Sequence, residues 1–310
     1  MKRFLTRAVL CVVGAGAAFA QSPVVGVGTF IHVVANLDKT MRFYGDRLGL
    51  ELNGAPGPRA FSVNAVVEGL YDAKGYQSRV AVFKIPGSPL GAEFAEFKDA
   101  AWKPVRPRIQ DPGASMLVLP VRDVGSVLAK LKDDATPVIS QDAAKGTVVV
   151  QDPDGFFIQL TEGGTARLSL TVDSLDRTLN LFRDLLGFQP ETGKSFVKDK
   201  DQLKLLGLRS AGYRRGTAKV PGTDFEVEFT EFKGIDRKPA NTAIHDPGAG
   251  VLRLVVRDVD ALLSKLKESG VPVASAGGEP VSIGNRHFVI LRDPDHFFFQ
   301  LVPQPNPAPK

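Results

Sequence analysis

Two carboxylates and two amides stand at matched places in this chain. Glu96 and Glu231 each open a Glu-Phe-Lys segment, and Gln159 and Gln300 each close an apolar run that follows an Asp-Pro-Asp turn. A carboxylate held in an apolar cavity is pushed toward neutral pKa by desolvation, which suits a general base. A glutamine amide offers both donors and an acceptor for fixing an oxygen-rich ligand. Glu96 and Glu231 are therefore the catalytic candidates, and Gln159 and Gln300 are candidates for ligand binding. The competing reading makes the glutamates rim carboxylates paired with Lys98 or Lys233, an exposed contact of small energetic value.

The histidines are less decisive. His32 lies in a strand, but Phe30, His32 and Val34 share the parity of an apolar face that meets a helix. His245 reads as a loop residue able to rim a cavity, His287 has no clear partner, and His296 replaces a turn glycine. The single cysteine, Cys11, lies in the leader described below, so a mature chain has no thiolate ligand or thiol nucleophile. Lys103, Arg106, Arg108 and Lys238 make basic connectors, read as solvated loops or as a clamp for an anion.

The elements that position these groups come twice. Glu96-Phe97-Lys98, Asp111-Pro112-Gly113-Ala114 and Val121-Arg122-Asp123-Val124 return as Glu231-Phe232-Lys233, Asp246-Pro247-Gly248-Ala249 and Val256-Arg257-Asp258-Val259, always 135 residues later. A repeat this long implies two folding units of one kind. Each half divides again. Thr29 to Val34 reads as a strand, Asn36 as a helix cap, and Leu37, Met41, Tyr44 and Leu48 as the buried stripe of a helix that stops at Gly49. The same order follows from Leu168, Met116 and Val251. Asn64 to Tyr71 and Asp201 to Leu206 read as short inserted helices. The unit is a strand, a helix and about three strands, four times over, which is an α+β pattern.

Residues 1–20 have the form of a secretory leader: Lys2, Arg3 and Arg7, a short apolar run, then Ala18-Phe19-Ala20 before Gln21. Its removal lowers the basic count from 39 to 36 against 34 acidic residues, a near-neutral balance that gives no reason to expect nucleic acid. No later run is long enough for a membrane anchor. The expected divisions are a leader at 1–20, units at 21–163 and 164–303, and a disordered tail at 304–310, in a periplasmic or secreted monomer or homodimer.

With Leu37 to Gly49, Asp152-Pro153-Asp154-Gly155-Phe156-Phe157-Ile158-Gln159-Leu160 and their second copies at Leu175 to Gly187 and Asp293 to Leu301, the chain resembles the vicinal oxygen chelate superfamily. This group includes glyoxalase I, the fosfomycin and bleomycin resistance proteins and extradiol dioxygenases. The resemblance implies four βαβββ modules paired into two glyoxalase-like half-barrel domains, each sheet cupped around a site. Family enzymes hold a divalent metal there through His and Glu. The corresponding first-strand positions here are Thr29, Met116, Arg167 and Val251, all non-histidine, and the last-strand positions are Glu96, Gln159, Glu231 and Gln300. One carboxylate and one amide per domain are a poor donor set for a divalent metal. The expectation is therefore a protein that binds a small oxygen-rich or planar molecule with no cofactor. Two alternatives remain. One is a metal-dependent lyase, isomerase or dioxygenase built on His32, Glu96, Gln159, Glu231 and Gln300; the other is a catalytically silent scaffold.

Overall fold

A computed structural model of the chain describes residues 21–55, 57, 59–100, 102–140 and 146–305. The leader and most of the tail lie outside these residues.

The strand, cap and helix order is met four times. In the first module β1 (Val24–Val33) leads to α1 (Leu37–Met41), which runs on as a π-helix over Arg42–Arg47, then to β2 (Glu51–Leu52), α2 (Ala65–Leu70), β3 (Gln77–Lys84) and β4 (Gly91–Lys98). The second holds β5 (Ser115–Val121), α3 (Val124–Lys132), β6 (Thr147–Gln151) and β7 (Phe157–Glu162). The third holds β8 (Arg167–Val172), α4 (Leu175–Asp184), β9 (Glu191–Thr192), α5 (Lys200–Leu205), β10 (Gly212–Lys219) and β11 (Glu226–Lys233). The fourth holds β12 (Gly250–Val256), α6 (Val259–Glu268), β13 (Val281–Ile283), β14 (Arg286–Arg292) and β15 (Phe298–Pro303). Each main helix starts at a polar cap: Asn36, Asp123, Ser174 and Asp258 all accept a backbone N–H from the first turn.

The modules join across the halves of the sequence. One sheet runs β13-β14-β15-β12-β1-β4-β3-β2, combining the fourth module with the first. The other runs β6-β7-β5-β8-β11-β10-β9, combining the second with the third. Antiparallel pairs β1/β12 and β5/β8 are the central joints. The sequence pairs Glu96 with Gln159 and Glu231 with Gln300; the structure places Glu96 with Gln300 in one sheet and Gln159 with Glu231 in the other.

The repeated Asp-Pro-Gly segment explains this exchange. Asp111 accepts the Lys238 N–H at 2.8 Å, and Asp246 accepts the Lys103 N–H at 2.9 Å. Ala240 N–H reaches the Pro112 carbonyl while Val105 N–H reaches that of Pro247, so each half pins the other's turn reciprocally. Gly248 has φ +103°, and a Cβ there would meet the Val105 carbonyl oxygen at 2.2 Å. The motif most visible in the sequence is thus a staple, with the basic connectors as its other half.

One large apolar core lies between the sheets and the main helices. Two smaller ones fill the concave faces. Ile31, Val33, Ala95, Phe97, Val251 and Phe298 pack with Leu70 and Tyr71 at the end of α2. On the other sheet Met116, Val118, Val149, Phe157 and Phe232 pack with Leu203 and Leu206 around α5. The inserted helices read from the sequence are therefore plugs for the two cups.

Candidate functional site

Strand alternation decides which charges face a cup. On β4, Ala95 and Phe97 belong to the concave face and Ala92 and Phe94 to the helix side. Glu93 shares the first parity and Glu96 the second. Glu96 accepts the Leu37 N–H at the start of α1 at 2.7 Å and pairs with Arg79 at 2.7 Å. Glu231 repeats this with Leu175 N–H at 2.7 Å and Arg214 at 2.8 Å. The two glutamates expected to act in the cups are instead helix-side caps tied to arginines. A shift of three residues reverses the face, and Glu93-Phe94 offers the same Glu-before-apolar signal as Glu96-Phe97.

The polar row in the eight-stranded cup consists of Thr29, Glu93, Arg253 and Gln300. Arg253 donates from Nη1 to Glu93 Oε2 at 2.8 Å and from Nε to Gln300 Oε1 at 2.7 Å. Thr29 Oγ1 donates to the same Glu93 oxygen at 3.0 Å. The Arg253 side chain is 26% exposed and that of Glu93 14%. The buried Tyr71 ring lies over this region; burial raises its hydroxyl pKa, and the Glu93 charge raises it further against the pull of Arg253. Glu93 and Arg253 did not come from the sequence reading, although Arg253 is the one charge in the apolar strand Gly250–Val256 and its repeat partner is Val118.

The seven-stranded cup differs. Ser169 Oγ donates to Glu228 at 3.0 Å, and Arg215 lies 3.7 Å from the same oxygen. Gln159 is buried on β7 beside Val118. Met116 and Val251 pack in their respective cups, and Arg167 lies on β8 opposite Val118. Tyr213 also helps fill this face, and the enclosed space between Met116, Ser169, Leu206, Arg215 and Phe232 is about 10 Å³. That is near the lower limit for one water molecule.

His32 is fully buried on the helix side of β1, as alternation requires. Its Nε2 lies 3.1 Å from Asp152 Oδ2, and its Nδ1 lies 3.3 Å from the Ala249 carbonyl oxygen. Tyr44 donates its hydroxyl to the same Asp152 oxygen at 3.1 Å. Burial pulls the imidazole pKa down, but the Asp152 carboxylate outweighs it and the net direction is up. Asp154, from the same turn, has its pKa raised by burial. Elsewhere His245 Nδ1 faces the Tyr71 carbonyl, His287 pairs with Asp260 at 2.6 Å, and His296 takes φ 71° in its turn.

Two module-exchanged sheets, each with a polar row on a concave face, define the class. The Glyoxalase/Bleomycin resistance protein/Dioxygenase superfamily matches residues 26–160 and again 164–301, and the chain belongs to it. Glyoxalase I from Zea mays is similar in fold at 18% identity, with 90% of this chain and 92% of that chain covered and a TM-score of 0.58. A substituted form of the same enzyme gives 17% identity, coverage of 90% and 93%, and a TM-score of 0.59. A Bacillus subtilis protein described provisionally as a dioxygenase gives 13%, coverage of 93% and 87%, and 0.56. These likenesses concern the fold alone. No curated protein matches the chain.

The cup residues do not fit the divalent metal common in this superfamily. In the eight-stranded cup a guanidinium already neutralises the one carboxylate, and a second cation at that point would meet its repulsion. Thr29 and Gln300 add only neutral oxygens. In the other cup Val118 replaces Arg253, and the one carboxylate, Glu228, is already met by the Ser169 hydroxyl and lies 3.7 Å from the Arg215 guanidinium, so with the Gln159 amide it makes a similarly poor donor set.

Proposed function

We propose that the protein binds a small, anionic, oxygen-rich molecule in the eight-stranded cup, with the Arg253 guanidinium supplying the positive charge. The observation that carries this reading is the Glu93–Arg253–Gln300 row, with the Arg253 side chain partly exposed on a face otherwise lined by apolar side chains. A guanidinium presents five donors in a planar fork, which matches a carboxylate or two adjacent oxygens. The ligand competes with Glu93 for that fork, and the Gln300 amide fixes a second oxygen. Entry requires α2 and Tyr71 to move off the face they cover. The seven-stranded cup is a packed structural counterpart, so ligand binding is confined to one of the two.

Calorimetric titration with oxalate tests this. Saturable binding to the wild type, weakened at least tenfold in Arg253→Met and unchanged in Glu228→Gln, is the expected result. Equal heats in the wild type and Arg253→Met would refute it. The leader-like first twenty residues support export, which predicts a periplasmic form whose intact mass begins at Gln21. Exchange of modules within one chain supports a monomer, measurable by sedimentation.

A further inference from the structure

We propose that His32, Asp152 and Asp154 bind one divalent transition cation of the zinc type, buried between the two sheets and outside both cups. The three residues each offer a donor atom, and these atoms all lie within 4.8 Å of one another. Zinc bonds to nitrogen and oxygen of about 2.0–2.1 Å place tetrahedral ligands roughly 3.3 Å apart. The 3.1 Å separation of His32 Nε2 and Asp152 Oδ2 is close to that.

Hydrogen bonding leaves the site incomplete without an additional positive centre. Asp154 is 8% exposed, and its Oδ2 is buried with no hydrogen-bond partner; His32 Nε2 faces Asp152 Oδ2 at 3.1 Å without the alignment of a good hydrogen bond. Buried polar atoms of this kind are uncommon and call for an explanation. Nδ1 of His32 can donate to the Ala249 carbonyl, which fixes the tautomer that presents a lone pair at Nε2. Neutral imidazole, two carboxylates and a divalent ion sum to zero charge, which removes the cost of burying like charges together.

The second copy of the module provides an internal control. There His32 is matched by Leu170 and Tyr44 by Phe182, both apolar and buried. Asp295, the match of Asp154, is saturated: one oxygen accepts from Asp173 N–H and Arg177, the other from Thr178. In the first copy Asp154 accepts, among the described residues, only from Ala35 N–H, at 3.1 Å. Imidazole and phenol thus occur beside the one Asp-Pro-Asp turn whose carboxylate is left open. His32 belongs to β1 of one sheet, and the aspartates to the turn before β7 of the other. An ion there clamps the sheets together, a structural role independent of ligand binding in the cup.

The test uses full-length mature protein unfolded in chelator and refolded with Zn²⁺ or Co²⁺. One equivalent should be retained, with Co²⁺ showing visible d–d bands and X-ray absorption showing mixed nitrogen and oxygen donors. Asp154→Asn should weaken binding at least tenfold. The double change His32→Leu and Tyr44→Phe installs the second copy's own residues; it should fold and bind no ion. Glu93→Gln, in the cup, should leave the stoichiometry at one. Failure to retain either ion, or retention that survives His32→Leu with Tyr44→Phe, would overturn the site and leave a simple His–Asp ion pair. Loss of the ion in Glu93→Gln would also overturn it, by moving the ion to the cup.

Discussion

At the scale of single residues, the site depends on which face a side chain takes. Arg253 holds two neighbours that have little other company, so Arg253→Met should cost about 1–3 kcal/mol by leaving Glu93 and Gln300 acceptors unsatisfied. Urea denaturation of the variant checks this. Asp293 makes a pH-dependent contribution of a different kind. Burial, and after it the Asp295 charge, raise its pKa to about 7, with backbone N–H bonds from Phe297 and Asp295 and the Arg177 charge only partly opposing them. Between its unfolded value near 3.8 and that raised value, the native state binds the extra proton. Stability should therefore be greatest below about pH 4 as far as this group is concerned, and fall as pH rises through 7. Asp293→Asn should flatten that part of the stability profile in thermal melts.

At the scale of elements, Glu96 and Glu231 tie helix starts to strands. Each carboxylate meets the first N–H of a helix and an arginine from the adjacent strand, so charge, hydrogen bond and helix dipole act together. Glu96→Gln keeps the shape but not the charge and should cost about 1–2 kcal/mol in denaturant midpoint measurements. Substitution of Glu93, one turn of the pleat pattern away, should instead affect oxalate binding. The inserted helices were legible as short segments, Asn64 to Tyr71 and Asp201 to Leu206; the structure shows Asn64 and Asp199 capping their first turns. Their use as plugs was not, because a short amphipathic helix carries no record of the surface it covers.

For the whole molecule, the sheets exchange modules between the halves of the chain. Residues 21–163 contain the first and second modules, which contribute to different sheets, and residues 164–303 contain the other two. Neither half alone can complete an eight- or seven-stranded sheet, and each would expose the edge of a central joint. Expressed separately, a half should be unfolded or should dimerise by pairing those edges, whereas the two halves expressed together should assemble. Sedimentation and amide dispersion in NMR spectra measure this; a folded, monomeric single half would contradict it.

The sequence by itself determined the repeat, the four strand–cap–helix units and the superfamily, because those depend on local periodicity, capping and turn chemistry that each short segment carries. His32 could be placed on the helix side, and His296 in a left-handed turn, for the same local reason. Only the tertiary structure decided that Glu93 and Arg253 face a cup while Glu96 and Glu231 do not. It alone paired the first module with the fourth and brought His32 to Asp152 and Asp154. Register and long-range pairing arise from packing between segments far apart along the chain, from Val118 with Arg167 to His32 with Gly250, and spacing along the chain holds no measure of their distance in space.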